Sequence, residues 1–460
     1  MATVATAAPP MAARTRALLD GAIVPTLLRL AAPNVAVMMM QALLTTADAY
    51  WVAHLGSDAL AGVALVFPII MLMQTMSAGG MGGGVASAVA RALGGGRRDD
   101  ANALVMHAVV IALVMGGAFT LGALIGGPAA YRAMGGRDGA LAAALTYSNV
   151  VFAGACAPWL YNTLGSVVRG TGNMAVPAIV MLIAGVVQLV LTPTLVLGLA
   201  GAPRLGVLGA GIGTVTAFCI GSAILVVYLA AGRSLVAPTL RGLRFRAALF
   251  ADILRVGAPG ALNTIQTNLT IVLLTGFVGS FGTYALAGYG VGARLEYLQI
   301  PLVFGFGSAL VAMVGTNIGA GKVARAERVA WVGAGLAAGV TGTIGLVMAI
   351  APRLWIGLFT TEPAVVAAGT SYLRIVGPFY GFFGLGLALY FASQGAGRLL
   401  WPLVAGFLRM TVAAVGAWLV VHVFGGGLTA VFGVMSIALV VFGSTVALAI
   451  RRGAWRAGRG

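Results

Sequence analysis

Long apolar runs, each followed by a short connector rich in Gly, Pro and Arg, repeat from residue 26 to residue 450. A helix needs about 20 apolar residues to cross the hydrocarbon core of a bilayer, and each run is about that long. The pattern predicts twelve transmembrane helices, over 26–52, 60–84, 101–126, 140–167, 174–199 and 205–231, then 252–278, 286–314, 327–350, 366–392, 399–423 and 429–450.

The runs are also written twice. Ala32-Pro33 recurs as Ala258-Pro259, and Leu55-Gly56-Ser57 as Phe281-Gly282-Thr283, at an offset of 226. Gly94-Gly95-Gly96-Arg97 returns as Gly319-Ala320-Gly321-Lys322, and Gly170-Thr171-Gly172 through Pro177 as Gly395-Ala396-Gly397 through Pro402, at 225. Four matches in one order at nearly one offset predict an all-α integral membrane protein of two pseudo-symmetric six-helix lobes, as in many transporters. An even number of helices per copy gives the copies the same orientation. The organisation read from this is a tail over 1–25, an N-lobe over 26–231 (helices 1–6), a linker over 232–251, a C-lobe over 252–450 (helices 7–12) and a tail over 451–460. A single bundle carrying a vestigial repeat is the alternative.

Composition agrees: of 460 residues, 60% are hydrophobic and 8% charged, which excludes a soluble domain. The net charge of +17 would suggest nucleic acid if the cations clustered at random. Their placement gives another meaning. Twenty of the 27 fall on the side of both termini: Arg14, Arg16 and Arg29; Arg91, Arg97 and Arg98; Arg169; Arg233, Arg241, Arg244, Arg246 and Arg255; Lys322, Arg325 and Arg328; Arg398; and Arg451, Arg452, Arg456 and Arg459. Arg132, Arg137, Arg204 and Arg353 make four on the other side, and Arg294, Arg374 and Arg409 lie in or near helices. Positive charge stays on the cytoplasmic side, so both termini are expected in the cytoplasm and no nucleic-acid partner is expected. The first twenty residues lack the charged-then-apolar arrangement of a signal peptide, so no removable one is expected. Cys156 and Cys219 read as packing residues, not as a disulfide or metal pair.

Eight of the ten acidic residues fall in tails, loops or helix ends, which leaves Asp48 in helix 1 and Glu296 in helix 8. A carboxylate near the bilayer centre costs about 3 kcal/mol or more, so each is a functional candidate. Asn34, Met38, Gln41, Thr45 and Asp48 recur three and four apart and share one helix face. Helix 7 carries Asn263, Gln266, Thr267 and Thr270 in a similar stripe, with Leu274 where helix 1 has Asp48. Asn34, Met38, Gln41, Thr45, Asn162, Asn263, Gln266 and Thr267 are the expected walls of a substrate cavity. Asp48 as a neutral structural residue or helix cap is the alternative. Glu296 and Arg294, two residues apart, do not share a face and should find partners on other helices; an ion site and a structural charge pair both remain open. Met38, Met39, Met40, Met71, Met73, Met76 and Met81 crowd helices 1 and 2, either packing there or lining an adaptable cavity. The Gly-x-Gly runs follow helices, not strands, so they are turns and not nucleotide loops. His54, His107 and His422 are scattered, and neither a metal site nor a nucleophile with its base is visible, so an enzyme and a cofactor are not expected.

In order and duplication these pieces resemble the multidrug and toxic compound extrusion (MATE) transporters, over about residues 21–450. The resemblance rests on Ala32-Pro33, on Thr46-Ala47-Asp48-Ala49-Tyr50-Trp51-Val52 with Leu55-Gly56 and Ala59-Leu60-Ala61-Gly62, on Arg169-Gly170-Thr171-Gly172, on Gly315-Thr316-Asn317-Ile318-Gly319-Ala320-Gly321, and on Gln394-Gly395-Ala396-Gly397. It implies export by alternating access, coupled to inward flow of H+ or Na+, from a prokaryotic cytoplasmic membrane, by a protein that works as a monomer. It also implies a coupling role for Asp48. The helix 5 pattern Asn-x-x-Leu-Asp-Pro of prokaryotic members reads here Gln188-Leu189-Val190-Leu191-Thr192-Pro193, so the second carboxylate is missing while Gln188 and Thr192 keep one face. With Gln266 and Thr267 where sodium-coupled members use an acid, the resemblance favours H+ over Na+ and amphipathic, cationic small molecules as substrates. A flippase or exporter of a lipid-linked or other specific metabolite is the alternative.

Overall fold

The structure, a computed structural model, describes residues 13–238 and 244–456. Arg241 and Arg459, counted above among the cations, lie outside the described residues, as do the first twelve residues of the N-terminal tail.

The N-terminal half comprises α1 (Ala13–Asp20), α2 (Ile23–Ala53), α3 (Ser57–Thr75), α4 (Gly82–Gly94), α5 (Arg98–Ala133), α6 (Asp138–Ala153), α7 (Cys156–Gly170), α8 (Ala175–Leu197) and α9 (Val207–Ala230). The C-terminal half comprises α10 (Ala247–Gly279), α11 (Thr283–Gly319), α12 (Val323–Ile350), α13 (Arg353–Ile356), α14 (Pro363–Val376), α15 (Tyr380–Ala396), α16 (Leu400–Trp418) and α17 (Leu428–Arg451). Among the described residues eleven spans are long and apolar enough to cross a membrane, and α6 with α7, bent by 46°, makes a twelfth if counted as one span.

That bend is absent from the sequence reading of one helix over 140–167, and it has a local cause. Pro158 has no N–H for the carbonyl of Gly154 four residues back, and its ring crowds that carbonyl, so the helix breaks at Gly154-Ala155. Likewise Pro378 sits in a 3₁₀ turn, Gly377–Phe379, that splits the predicted helix 10 into α14 and α15. Between α3 and α4 the chain widens into a π turn, Met76–Met81.

The repeat is visible in the backbone. Gly56 and Gly282, the residues before α3 and α11, have φ/ψ of 108°/173° and 103°/172°. Gly96 and Gly321, in the next turn of each copy, have φ of 71° and 75°. A side chain in these conformations is strained, so glycine recurs where the turn recurs.

Among the described residues the lobes meet chiefly where α2, α4 and the π turn after α3 lie against α10, α11 and α15. A Cβ at Gly80 would lie 2.7 Å from the Ala261 nitrogen, and one at Gly84 2.7 Å from the Gly257 nitrogen. Gly315 faces Ala90, and Gly305 faces Val35. Lipid gives helices little hydrophobic reason to associate, so small residues that let backbones touch supply the contact. A few polar bonds cross the same seam: Arg91 Nη2 to Asp252 Oδ1 at 2.8 Å, the Ser87 hydroxyl to the Gln394 carbonyl at 2.5 Å, Gln394 Nε2 to the Gly79 carbonyl at 2.8 Å, and Asn34 Nδ2 to the Gly305 carbonyl at 3.5 Å. Outside it, α1 reaches the C-lobe, with Asn317 Nδ2 donating to the Leu18 carbonyl at 3.1 Å and Lys322 paired with Asp20 at 2.7 Å. The Lys322 ammonium holds the Asp20 carboxyl below its ordinary value of 3.8.

Candidate functional site

Away from the seam, four positions of the repeat converge in each lobe, as a hydrogen-bonded cluster in the N-lobe and around a cavity in the C-lobe. In the N-lobe α2 delivers Asp48, α6 Tyr147, α8 Gln188 and Thr192, and α9 Thr214. Gln188 Nε2 donates to Asp48 Oδ2 at 2.7 Å and lies 3.3 Å from Thr214 Oγ1. Gln188 is 7% exposed and Thr192 fully buried. Thr192 faces the same carboxylate, yet its hydroxyl makes no hydrogen bond in this arrangement. Tyr147, also buried, stands beside Asp48 with Thr214 within reach of its hydroxyl. The result is one carboxylate among neutral amide and hydroxyl groups, with no described cation against it. Such a group takes or gives up a proton by exchanging hydrogen bonds with its neighbours.

In the C-lobe the repeat puts Leu274 at the Asp48 position, Tyr372 at Tyr147, Ala413 at Gln188 and Leu439 at Thr214. All four line a small cavity of about 60 Å³. Charge enters it from other positions. Arg409 Nη2 donates to Glu296 Oε1 at 3.4 Å, and the Tyr372 hydroxyl lies 3.4 Å from Glu296 Oε2. The Arg409 guanidinium lies over the rings of Phe383 and Phe442, at 5.7 and 5.6 Å.

Glu296 and Arg294 find separate partners, Glu296 in Arg409 of α16. Two residues make about 200° of helix, and Arg294 turns outward, over the Phe359 ring at 5.4 Å. The expected substrate walls also separate. Asn34 is buried in the lobe seam, Met38 and Gln41 are half-buried, and Thr45 is exposed and bonded to the Gln41 carbonyl. Asn162 is buried within the N-lobe, donating to Gln74 Oε1 at 3.0 Å and Ser77 Oγ at 2.8 Å. Gln266 ties α10 to the Gly406 carbonyl of α16 at 2.8 Å, and half-buried Asn263 accepts a bond from Thr267 at its carbonyl. Of the predicted walls only Thr267 reaches the C-lobe cavity. Cys219 is exposed and Cys156 half-buried, so Cys219 is not the packing residue that was expected.

Tyr147, Tyr372 and Arg409 escaped the sequence reading. The two tyrosines were findable, because they occupy one position of the repeat. Among the described residues no group of His, Cys, Asp and Glu could hold a metal ion.

Comparison with known proteins gives a consistent result. The MatE family model matches residues 33–194 and again 259–419, one match per copy of the repeat. A probable multidrug resistance protein NorM of Deinococcus radiodurans is 31% identical, over 85% of this chain and 86% of that protein. A FAD transporter of Shewanella oneidensis is 23% identical, over 87% of this chain and 90% of its own. Among solved structures, a multidrug resistance MATE family transporter in an outward-facing conformation superposes with a TM-score of 0.89, at 25% identity, covering 98% of this chain and 100% of that one.

Proposed function

Because the chain belongs to the MATE family of multidrug efflux transporters, we propose that it exports amphipathic small molecules bearing a basic group by alternating access, in exchange for protons that enter through Asp48. The chain is a transporter and not an enzyme, in keeping with its relatives. The observation that carries the proton reading is the lone Asp48 carboxylate held by Gln188 at 2.7 Å among neutral groups.

Ionised, Asp48 accepts from Gln188. Protonated, it becomes a donor, for which the Thr192 hydroxyl facing it offers an acceptor, and the Gln188 amide is released toward Thr214. Three helices, α2, α8 and α9, are thereby re-tied at one point. Helix α2 extends from that point to the seam, where Asn34 meets Gly305. A proton taken up at Asp48 therefore has a direct mechanical path to the contact that keeps the lobes closed. It drives the cycle only if the two access states bind it unequally.

The basic side of the chain supports placing both termini in the cytoplasm of a prokaryotic cell, and the working unit of this reading is the monomer. The Shewanella relative supports a second reading, export of one specific metabolite.

Inside-out vesicles test both readings. A fluorescent cationic dye should accumulate under an imposed pH gradient and not under a Na+ gradient, and Asp48→Asn should abolish the accumulation. Sodium-driven uptake would overturn the proton assignment, and no dye movement under either gradient would leave the metabolite reading.

A further inference from the structure

We propose that the end of the lobe seam where α10 begins and α15 stops is a binding site for the headgroup of an anionic phospholipid, its phosphate held by Arg255 and Arg398 of the C-lobe beside Arg91 of the N-lobe. The inference goes beyond the proposed export function and does not rest on it.

The turn that ends α15 gathers the charge. Gly397 there has a φ of 73°, and a Cβ on it would lie 2.9 Å from Arg91 Nη1 and 3.0 Å from Arg255 Nη2. Two guanidinium groups from opposite lobes therefore have nitrogens no more than about 6 Å apart, a distance at which like charges repel. Arg91 is nearly enclosed and its bonds are spent, on Asp252, on the Ser87 hydroxyl and on the Gly395 carbonyl. Asp252 is thereby committed to Arg91. Arg255 and Arg398, which directly follows Gly397, are both exposed, and neither side chain has a hydrogen bond or ion pair to a described residue. Three cations thus stand against one carboxylate. Topology asks for positive charge on one side of the membrane, and does not ask that it converge across a seam.

The first copy of the repeat covers the same turn differently. Gly172, the equivalent of Gly397, has a left-handed backbone too, with a φ of 78°, and a Cβ on it would meet Leu18 Cδ1 of α1 at 2.8 Å. There an apolar side chain closes the turn. At the offset of 226 the counterpart of Leu18 is Arg244, which is exposed. The chain after it is drawn to α5, with Arg246 paired to Asp100 at 2.6 Å and its backbone N–H on His107 Nε2 at 2.9 Å. Guanidinium groups cover Gly397 instead, and the surface beside them is apolar: Leu254, just before Arg255, is 39% exposed, and Leu400 and Trp401, just after Arg398, are 69% and 48% exposed. A soluble anion would use the charges and leave those side chains unmatched. A phospholipid uses both, with its phosphate against the planar forks of the arginines and its acyl chains along α10 and α16. Bound there, the phosphate offsets the repulsion between Arg91 and Arg255 and favours the closed seam.

Binding of tail-labelled fluorescent phosphatidylglycerol to the purified full-length protein in detergent tests the site, with phosphatidylcholine of the same label and chains as the net-neutral reference. Phosphatidylglycerol should bind at least about tenfold more tightly. Arg255→Gln combined with Arg398→Gln should reduce that preference to about twofold or less. Arg451→Gln combined with Arg452→Gln, which removes two exposed charges at the end of α17, should leave it intact. Equal affinity for the two lipids in the wild type overturns the proposal. So does an equal loss in both double variants, which would mean diffuse surface charge and no site, and so does a full preference in an Arg255/Arg398 variant that elutes as monodisperse protein. Displacement of the lipid by inorganic phosphate, but not by chloride at matched ionic strength, would assign the site to a soluble phosphate and overturn the lipid. None of these readouts involves a gradient or Asp48, so their failure leaves the proton-coupling reading standing, and loss of transport in Asp48→Asn leaves this site standing.

Discussion

The two lobes began as one sequence, and the same position of each now holds opposite chemistry. In the N-lobe cluster a carboxylate sits among neutral hydrogen-bonding groups, Asp48 with Gln188 and Thr214. In the C-lobe pocket those three positions are Leu274, Ala413 and Leu439, and a Glu296–Arg409 pair has arrived from positions where the N-lobe has Ile70 and Ala184. Only the tyrosine is shared. The equivalent positions of the two copies thus carry different charge. A lone carboxylate exchanges a proton with little else present, whereas in the Glu296–Arg409 pair each charge already offsets the other. Proton exchange therefore belongs to one lobe and not to both.

The sharpest way to break this contrast is to move the carboxylate. Asp48→Asn should reduce proton-driven accumulation to that of vesicles without the protein, and adding Leu274→Asp, which places an acid at the equivalent C-lobe position, should restore none of it. A double variant that exports under a pH gradient would show the lobes to be interchangeable.

A smaller effect is expected at the seam. Gly84→Val forces a side chain against Gly257 and Ile253, and overpacking of this kind costs about 1–3 kcal/mol. In a background with Cys156 and Cys219 changed to serine, a cysteine at Ala90, which is fully buried, should then react with an impermeant maleimide from the terminal side roughly tenfold faster or more. Arg91→Met removes the pair to Asp252, whose side chain is 29% exposed, so solvent screening holds the loss to about 1 kcal/mol and the labelling change to a few-fold.

The smallest effect belongs to Asp20→Asn, because that carboxylate and Lys322 are both well exposed. Its pKa is lowered on folding, so any stabilisation is present above 3.8 and is lost only as pH falls through the still lower folded value. Melting temperature and labelling should match wild type at neutral pH. A wild-type melting curve that changed through Asp20 between neutral and mildly acid pH would contradict this sign.

Most of the architecture was legible in the chain, since apolar length counts spans and the four recurring motifs fix the two copies. The bend at Gly154 was legible too, in Pro158, but hydropathy alone does not register a missing N–H. Asp48 could be found because a carboxylate in an apolar run is conspicuous. Its contact with Gln188, 140 residues away, became visible only through the family pattern around Pro193. Arg409 could not be paired in advance, because a lone cation in a helix names no partner and Glu296 had a nearer neighbour in sequence. The stripe from Asn34 to Asp48 shares one helix face as expected, yet over the length of α2 that face passes from a protein seam to the hydrogen-bonded cluster. Periodicity gives the face and not what lies opposite.

The closest approaches across the seam between the lobes are made by glycine and alanine against backbone, and this shapes the rate problem the transporter has to solve. Interdigitated large side chains must leave their rotamers before two surfaces separate, and each adds its own toll to the barrier. Smooth backbone faces have almost none to leave, and their peptide groups are already satisfied within the helices, so parting them strands little. The pace of opening then falls to a handful of discrete latches, Arg91 with Asp252, Ser87 and Gln394 across the seam, and Asn34 on Gly305. Turnover in such a molecule is a matter of countable bonds, which single substitutions can speed up or slow down one at a time.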